Sequence, residues 1–372
     1  MRAWWSDARN RRIAMVAVLL VAVVWTVTFL AAGGGGDGGD GGTSPSTRRL
    51  EAGRAPSHDR PDAVWLFGFD TLRLVPSAPD RVSVLGFPAF GQVTGGPGEV
   101  LLYEPGSGRF GRLDATTNRI VDRATIPSRL RAGSGGVAEP VVAAAGSAAW
   151  LVTGPSTLTR HALPTGSARD RTVDLPGVGT RTDTRVVAGP AGVVTLSVDP
   201  TNETVPAVIN RVDPGSGEVM ATGEAGLPAG GLVDVAAGPG RVWLVGHTRL
   251  VPVDARTATA GPPLTLPPGM VARRMVDRGD QVWVLARDGR LARLDARDGR
   301  LLGAPTRPGY RSLGPTSRLE DGPGGPWALL AAVTRGDYHA EVVRLGTTGR
   351  ATWRLRLPDQ LAIADLAVST RR

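Results

Sequence analysis

The stretch GLVDVAAGPGRVWLVG, residues 231–246, decides the fold because close relatives of it recur along the chain. Two short apolar runs rich in β-branched residues flank a Gly-Pro-Gly turn, which predicts two strands joined by a hairpin. A third run at residues 250–254 and a fourth ending at Leu266 and Pro267 complete the unit. The same order returns around Trp283, in QVWVLARDGRLARLDARDGRLLGAPT.

Seven copies of this unit are present, and one residue of each second strand serves as its anchor. The anchors are Trp65, Leu101, Trp150, Val194, Trp243, Trp283 and Trp327. Successive anchors are separated by about 44 residues on average, which suits a four-stranded propeller blade. The sequence therefore predicts an all-β fold, a seven-bladed β-propeller of four-stranded blades.

The two ends of the repeat region each lack a strand. Residues 63–70, AVWLFGFD, look like a second strand without a first, and residues 361–369, LAIADLAVS, look like a first strand without a second. Pairing the C-terminal strand into the N-terminal blade leaves no long unpaired inner edge. We therefore expect the ring to close by pairing its two ends.

An apolar segment precedes the repeats. Residues 13–32 carry no charged side chain, and about twenty such residues suffice to cross a bilayer as a helix. The arginines of residues 1–12 precede this span, so the positive-inside rule predicts a cytoplasmic N-terminus and an extracytoplasmic propeller, in a single-pass protein of the cell membrane. A cleaved signal peptide is the alternative, and it also exports the propeller.

The predicted organisation has four parts. Residues 1–12 form a cytoplasmic basic segment, residues 13–32 a transmembrane helix that acts as a signal anchor, and residues 63–372 the propeller. Between them, residues 33–62 begin with GGGGDGGDGG, a composition that predicts a flexible tether.

Composition excludes several kinds of chemistry. The chain has no cysteine, which excludes disulfides, thiol catalysis and thiolate metal sites. All 43 basic residues are arginine, so Schiff-base chemistry at lysine is excluded as well. An arginine-only chain rich in Ala, Gly and Pro is typical of a GC-rich bacterial genome. The net charge is +9, but the arginines are dispersed, and nucleic acid is not an expected partner.

The position nine residues before each anchor falls on an innermost strand. In blade 1 the equivalent residue lies on the closing strand. Across the seven blades the position holds a polar residue six times and Val141 once. The polar residues are Gln92, Arg185, Asp234, Arg274, Arg318 and Asp365. We predict that they form a ring at a mouth of the channel, where propellers bind their ligands. A slip of one residue would put Met275 in place of Arg274, and Val142 in place of Val141.

Two interpretations of this ring remain open. Guanidinium groups offer paired donors to a carboxylate, a phosphate or a sugar, which favours a ligand-binding role. Alternatively, Asp and Arg on adjacent blades neutralise one another and order the water of the channel, and this is the simpler expectation. The four histidines, His58, His161, His247 and His339, show no metal-ligand spacing and are expected on the surface or in packing contacts. The repeated tryptophans are expected in the core between blades.

A resemblance follows from the repeat itself. G-x-V-W-L-V followed by a V-D-A turn and a strand ending in Leu-Pro resembles the propeller repeats of streptogramin (virginiamycin B) lyase-like proteins and of the NHL, YVTN and pyrroloquinoline-quinone-like groups. RLGTTGRATW, residues 344–353, is similar to the blade-docking motif of the quinone-enzyme propellers. The resemblance to the lyases implies metal-assisted elimination with a catalytic histidine, and no histidine of this sequence matches that constellation.

Two functions from different classes follow. The first is a membrane-anchored extracytoplasmic propeller that binds, or provides a scaffold for, a protein, peptide or glycan at the bacterial cell envelope. The alternative is a metal-assisted lyase or hydrolase at a channel mouth, in which Asp234 and Asp365 hold a divalent cation such as calcium or magnesium. No catalytic residue and no other cofactor are predicted, and the enzyme is the less favoured of the two.

Overall fold

The structure is a computed structural model in which the repeat region forms seven antiparallel sheets. The residues it describes are 63–68, 71–75, 78–84, 92–105, 107–128, 140–179, 183–190, 192–202, 204–226, 231–334, 337–357, 363 and 365–369. The predicted cytoplasmic segment, transmembrane helix and tether lie outside these ranges. Within them, no helix is long and apolar enough to span a membrane.

The first three sheets in chain order supply blades 1 to 3. Blade 1 contains three strands from the start of the repeat region: β1 (Ala63–Phe67), β2 (Thr71–Val75) and β3 (Ala78–Val84). The strands of blade 2 are β4 (Gln92–Gly96), β5 (Glu99–Glu104), β6 (Arg109–Asp114) and β7 (Arg119–Thr125). Those of blade 3 are β8 (Val142–Ala145), β9 (Ala148–Gly154), β10 (Thr157–Ala162) and β11 (Arg171–Asp174).

Blades 4 to 7 follow in the same order. The strands of blade 4 are β12 (Asp183–Gly189), β13 (Gly192–Val198), β14 (Ala207–Val212) and β15 (Val219–Ala225). Those of blade 5 are β16 (Leu232–Gly238), β17 (Arg241–Gly246), β18 (Arg249–Asp254), β19 (Thr259–Ala260) and β20 (Leu264–Thr265). Those of blade 6 are β21 (Ala272–Asp277), β22 (Gln281–Ala286) and β23 (Leu291–Asp295). Those of blade 7 are β24 (Arg318–Glu320), β25 (Trp327–Thr334), β26 (Asp337–Leu345) and β27 (Ala351–Leu357).

The last strand, β28 (Asp365–Ser369), completes blade 1 by pairing with β1 over five residues. The predicted closure is therefore confirmed. Gly95 of β4 packs so closely against β28 that a Cβ in its place would overlap the carbonyl oxygen of Val368. Glycine is required there because the backbones of blades 1 and 2 meet at that point.

Blades 5 and 6 depart from the four-stranded pattern at their outer edge. In blade 5 the outermost strand is divided into β19 and β20, on either side of Pro262 and Pro263. In blade 6 the described sheet has three strands, and two isolated bridges, Leu294 to Leu301 and Leu291 to Thr306, take the place of the fourth. Proline cannot donate to a ladder, so a proline-rich segment is tolerated only at such an edge.

The core lies between the blades. Second strands such as β9 and β13 are buried along their whole length, whereas the outer strands β15 and β27 alternate between exposed and partly covered residues. A strand covered on both faces reads as a continuous apolar run, and an outer strand with one face in solvent alternates. The described apolar clusters each join neighbouring blades, including one between blades 7 and 1.

The five tryptophan anchors are almost completely buried, as predicted. In four of the five blades an arginine on the third strand pairs directly with the tryptophan: Arg73, Arg160, Arg293 and Arg344. In blade 5 the paired residue is Pro252, and Arg241 covers Trp243 instead, 5.7 Å from the ring centroid. Trp353 of the predicted docking motif packs edge-on against Trp327. Arg73, Arg160 and Arg293 each also donate to a backbone carbonyl of the next blade, so arginine is part of the contacts between blades.

Candidate functional site

The predicted ring residues occupy one position of the repeat. In six blades each of them pairs with the residue two places after its anchor. The pairs are Gln92 with Tyr103, Arg185 with Leu196, Asp234 with Val245, Arg274 with Leu285, Arg318 with Leu329, and Asp365 with Phe67. In blade 3, Val142 pairs with Leu151, one place after the anchor, which leaves Val141 at the ring position. Arg274 and Val141 therefore hold the position, and Met275 and Val142 do not.

A cavity of about 290 Å³ lies among the innermost strands. Five of the six polar ring residues line it: Gln92, Asp234, Arg274, Arg318 and Asp365. The sixth, Arg185, is not part of this wall, and its guanidinium donates a hydrogen bond to the carbonyl of Leu232 in the next blade at 3.4 Å. The structure thus brings five of the predicted residues together and directs the sixth to a neighbouring strand.

Several ring residues also connect their blade to the next one. The side-chain oxygen of Gln92 accepts from the backbone N–H of Val141 at 2.9 Å, and a carboxylate oxygen of Asp234 accepts from the N–H of Met275 at 3.0 Å. Backbone amides of buried inner strands need such partners. The ring position therefore has a structural role.

The strongest contact of this kind joins Arg318 and Asp365. Arg318 Nε donates to Asp365 Oδ1 at 2.6 Å, and the two side chains are only 11% and 12% exposed. Arg318 belongs to blade 7 and Asp365 to the closing strand of blade 1. The expected neutralisation of Asp by Arg on adjacent blades is confirmed for this pair.

Glu320 is a site residue that sequence reasoning missed. It lies two residues after Arg318 on β24 and lines the same cavity. The residue is solvent-accessible, and the cavity that it lines is enclosed by the inner strands of the blades. This enclosure, together with the charges of Asp365 and Asp234, raises the pKa of Glu320 to about 8, although Arg318 and Arg274 oppose the shift.

The signal for Glu320 was present in the strand periodicity. Side chains two residues apart lie on the same face of a strand, so the seventh residue before each anchor forms a second layer next to the ring. In the other six blades this layer is uncharged: Thr94, Ala143, Val187, Ala236, Val276 and, on the closing strand, Ala367. A single carboxyl in a layer of small and apolar residues therefore marks blade 7 as different.

The described histidines are engaged by the surrounding protein. His161 is buried, with Nδ1 at 2.7 Å from Asp170 and Nε2 at 2.9 Å from Thr165, and it packs edge-on against Phe110. His247 Nε2 accepts from Arg287 at 2.6 Å. Among the described residues, no group of three or more His, Cys, Asp or Glu side chains could hold a metal ion. His58 lies outside those residues.

The geometry defines the class of the molecule, a closed seven-bladed β-propeller with a charged axial cavity. No protein-family model and no curated protein sequence matches the chain. Among solved structures it is similar to apo AztD from Citrobacter koseri, with 12% identity and a TM-score of 0.52, over 84% of this chain and 99% of that one. It is also similar to the dihydro-heme d1 dehydrogenase NirN in complex with DHE, with 13% identity and a TM-score of 0.50, over 82% of this chain and 75% of that one. Identities this low show the fold alone.

Proposed function

We propose that this chain is a membrane-anchored, extracytoplasmic propeller that binds a protein, peptide or glycan at the bacterial cell envelope. One observation carries the proposal: four charged side chains from blades 1, 5, 6 and 7, namely Asp365, Asp234, Arg274 and Arg318, line one cavity on the axis of the ring. A rigid frame that presents polar groups in a concave site is the usual construction of a binding site.

The anchor in this proposal is the uncharged segment 13–32, with arginines on its N-terminal side. Residues 33–62 then serve as a tether that lets the ring reorient above the membrane surface. The cavity, at about 290 Å³, is at the lower limit for small-molecule pockets. A macromolecular partner would therefore insert a side chain or a terminal group and make its other contacts on the loops around the mouth.

The first test is the location of the full-length chain in bacterial cells. We expect it in the membrane fraction after a high-salt wash, with the propeller digested by protease added to spheroplasts. An N-terminal tag that stays attached indicates an anchor, whereas its loss indicates a cleaved signal peptide. Deletion of residues 13–32 is the matched control and should leave the chain inside the cell. A chain whose propeller is protected in intact spheroplasts and digested only after lysis would refute the extracytoplasmic placement.

The second test maps the partner. A photo-crosslinking residue at position 288, in the turn between β22 and β23, leaves Arg287 in place and should capture a partner in intact cells. The same residue at position 297, in the turn that follows β23 at the opposite end of the blade, is the control. Equal capture at both positions would refute binding at the mouth of the channel that lies beside the turn between β22 and β23.

A further inference from the structure

The segment between blades 6 and 7, residues 313–315, gathers arginine side chains at one end of the cavity. Arg274 Nη2 and Arg318 Nη1 both donate to the carbonyl of Pro315, at 3.4 and 3.2 Å. Two guanidinium groups that share one acceptor are close neighbours. Because both arginines also line the cavity, the segment marks its mouth on the side of these blades.

Two more arginines contact the same segment, Arg273 through its side chain and Arg287 through its backbone carbonyl. Arg273 Nε donates to the carbonyl of Gly314 at 3.2 Å. The backbone carbonyl of Arg287 accepts from the N–H of Leu313 at 2.7 Å. The guanidinium of Arg287 donates to His247 Nε2 at 2.6 Å. Neither of these side-chain contacts is to a carboxylate, so the contacts position the two cations without pairing them with a negative charge.

The charges of this group are only partly balanced. Arg318 is paired with Asp365 at 2.6 Å. By contrast, neither Arg273 nor Arg287 forms an ion pair with a carboxylate within the part of the chain that the structure describes. Arg273 and Arg287 therefore place positive charge beside a concave polar space, and together with Arg274 of the cavity wall they are called the arginine rim.

The electrostatics of Arg273 agree with this geometry. Burial, together with the neighbouring charges of Arg274, Arg287 and Arg318, lowers the pKa of Arg273 to about 10, while Asp234 opposes the shift. Like charges held together in a partly buried site raise the energy of the unliganded protein. An anion bound between them would relieve that repulsion.

We propose that the arginine rim binds an anionic oxygen group, either a carboxylate or a phosphate. Arg273 and Arg287 supply paired donors at the mouth, and Arg274 supplies a donor from the cavity wall. Guanidinium matches both groups because its N–H donors form parallel bonds to two acceptor oxygens. The inference rests on the proposed function, since it assigns the charge of the group that enters the same cavity.

The test is titration calorimetry on the full-length chain in detergent at low ionic strength, with citrate and pyrophosphate as separate probes. We expect binding that weakens as sodium chloride is added. Arg273→Gln and Arg287→Gln should each weaken it by about tenfold, the value for loss of a charge-assisted hydrogen bond. Arg297→Gln removes the same charge at the opposite end of the blade and should bind as the parent does.

The two probes separate the sources of the anion. Preference for citrate assigns a carboxylate, preference for pyrophosphate assigns a phosphate, and binding of both supports the shared chemistry. No binding of either probe, or equal weakening by Arg297→Gln, overturns the proposal. The melting temperatures of Arg273→Gln and Arg287→Gln without anion are measured alongside, and binding is compared at a temperature at which every variant is folded, so that a loss of affinity cannot be attributed to unfolding.

The outcome is also separable from that of the proposed function. Binding of a probe by a chain that is not exported would support the oxyanion site and refute the assignment to the cell envelope. Export and capture of a partner by a chain that binds neither probe would refute the oxyanion site and leave the proposed function supported.

Discussion

Arg318 and Asp365 form a buried ion pair at 2.6 Å between the last blade and the strand that closes the ring. β28 is thus held by its backbone pairing with β1 and by a charge contact to blade 7. A buried pair contributes little net free energy compared with well-packed apolar residues, but removal of one partner leaves an uncompensated charge in the protein. The two residues should therefore behave as a unit.

This coupling can be measured with a double-mutant cycle. Arg318→Met and Asp365→Leu should each lower the free energy of unfolding by about 3 kcal/mol, because each leaves the other charge buried and unpaired. The double variant should be more stable than either single variant. The measurement is urea denaturation of all four proteins, and strictly additive losses would show that the two side chains are not coupled.

Removal of residues 361–372 should open the ring. The lost strand contains Leu366 and Val368, both buried against blades 7 and 1. Their burial alone contributes about 1.5–3 kcal/mol each, and the second strand of blade 1 would become an unpaired edge. We expect a large drop in melting temperature and increased aggregation. Removal of residues 370–372 alone is the control, and equal melting of the long truncation and the parent would refute the closure.

Trp243 and Trp150 provide a matched comparison of two buried indoles. Trp243 Nε1 donates to the buried carboxylate of Asp277 in the next blade at 2.6 Å, whereas Trp150 Nε1 has no partner among the described residues. Trp243→Phe should therefore cost about 2 kcal/mol more than Trp150→Phe, since it leaves a buried charged acceptor without its donor. Chemical denaturation of the two variants measures the difference. Equal costs would mean that the indole hydrogen bond contributes nothing to stability.

The pKa of Glu320, about 8 in the folded protein against an ordinary value of 4.5, predicts a pH dependence of stability. The folded state binds this proton more tightly than the unfolded state. The resulting stabilisation is present below pH 4.5 and is lost as the pH rises to about 8. Glu320→Gln, which is neutral at every pH, should flatten the melting temperature across this window and raise it near pH 9. Glu218→Gln on an exposed turn is the control and should follow the parent curve, and a Glu320→Gln curve that did the same would contradict the raised pKa.

The alternative function makes a prediction about metals. Asp365 Oδ1 is engaged by Arg318 and Asp234 Oδ2 accepts from the N–H of Met275, so each carboxylate already has a protein donor at one oxygen. We expect no change in melting temperature with millimolar calcium or magnesium, with or without chelator. A stabilisation that chelator reverses, and that Asp234→Ala or Asp365→Ala abolishes, would favour the metal-assisted enzyme.

Much of the architecture was predictable because a propeller repeats one register. Counting nine residues back from each anchor found Asp234 and Arg274 at the correct position, even though both strands contain a register shift just before them. The count works because the hairpin between first and second strands has the same length in these blades. The broken outer strands of blades 5 and 6 were not predicted, since edge strands tolerate prolines that an inner strand would not.

The side-chain geometry was less accessible. Arg185 shares the ring position and yet bonds to Leu232, and Glu320 joins the cavity from the neighbouring layer. Sequence reasoning located the strand positions but had no means to decide which rotamer each long side chain adopts. The choice depends on carbonyls and charges that the next blade presents.

The sequence by itself determined the number of blades, the closure through β28 and the identity of the ring position, because these follow from hydrophobic periodicity and repeat spacing along the chain. Only the tertiary structure decided which groups the charged side chains contact. Arg273 contacts Gly314, 41 residues away, and Arg318 contacts Asp365, 47 residues away. Such pairs form between adjacent blades, about one repeat apart, and their energies depend on the burial and close distances that only the packed ring creates.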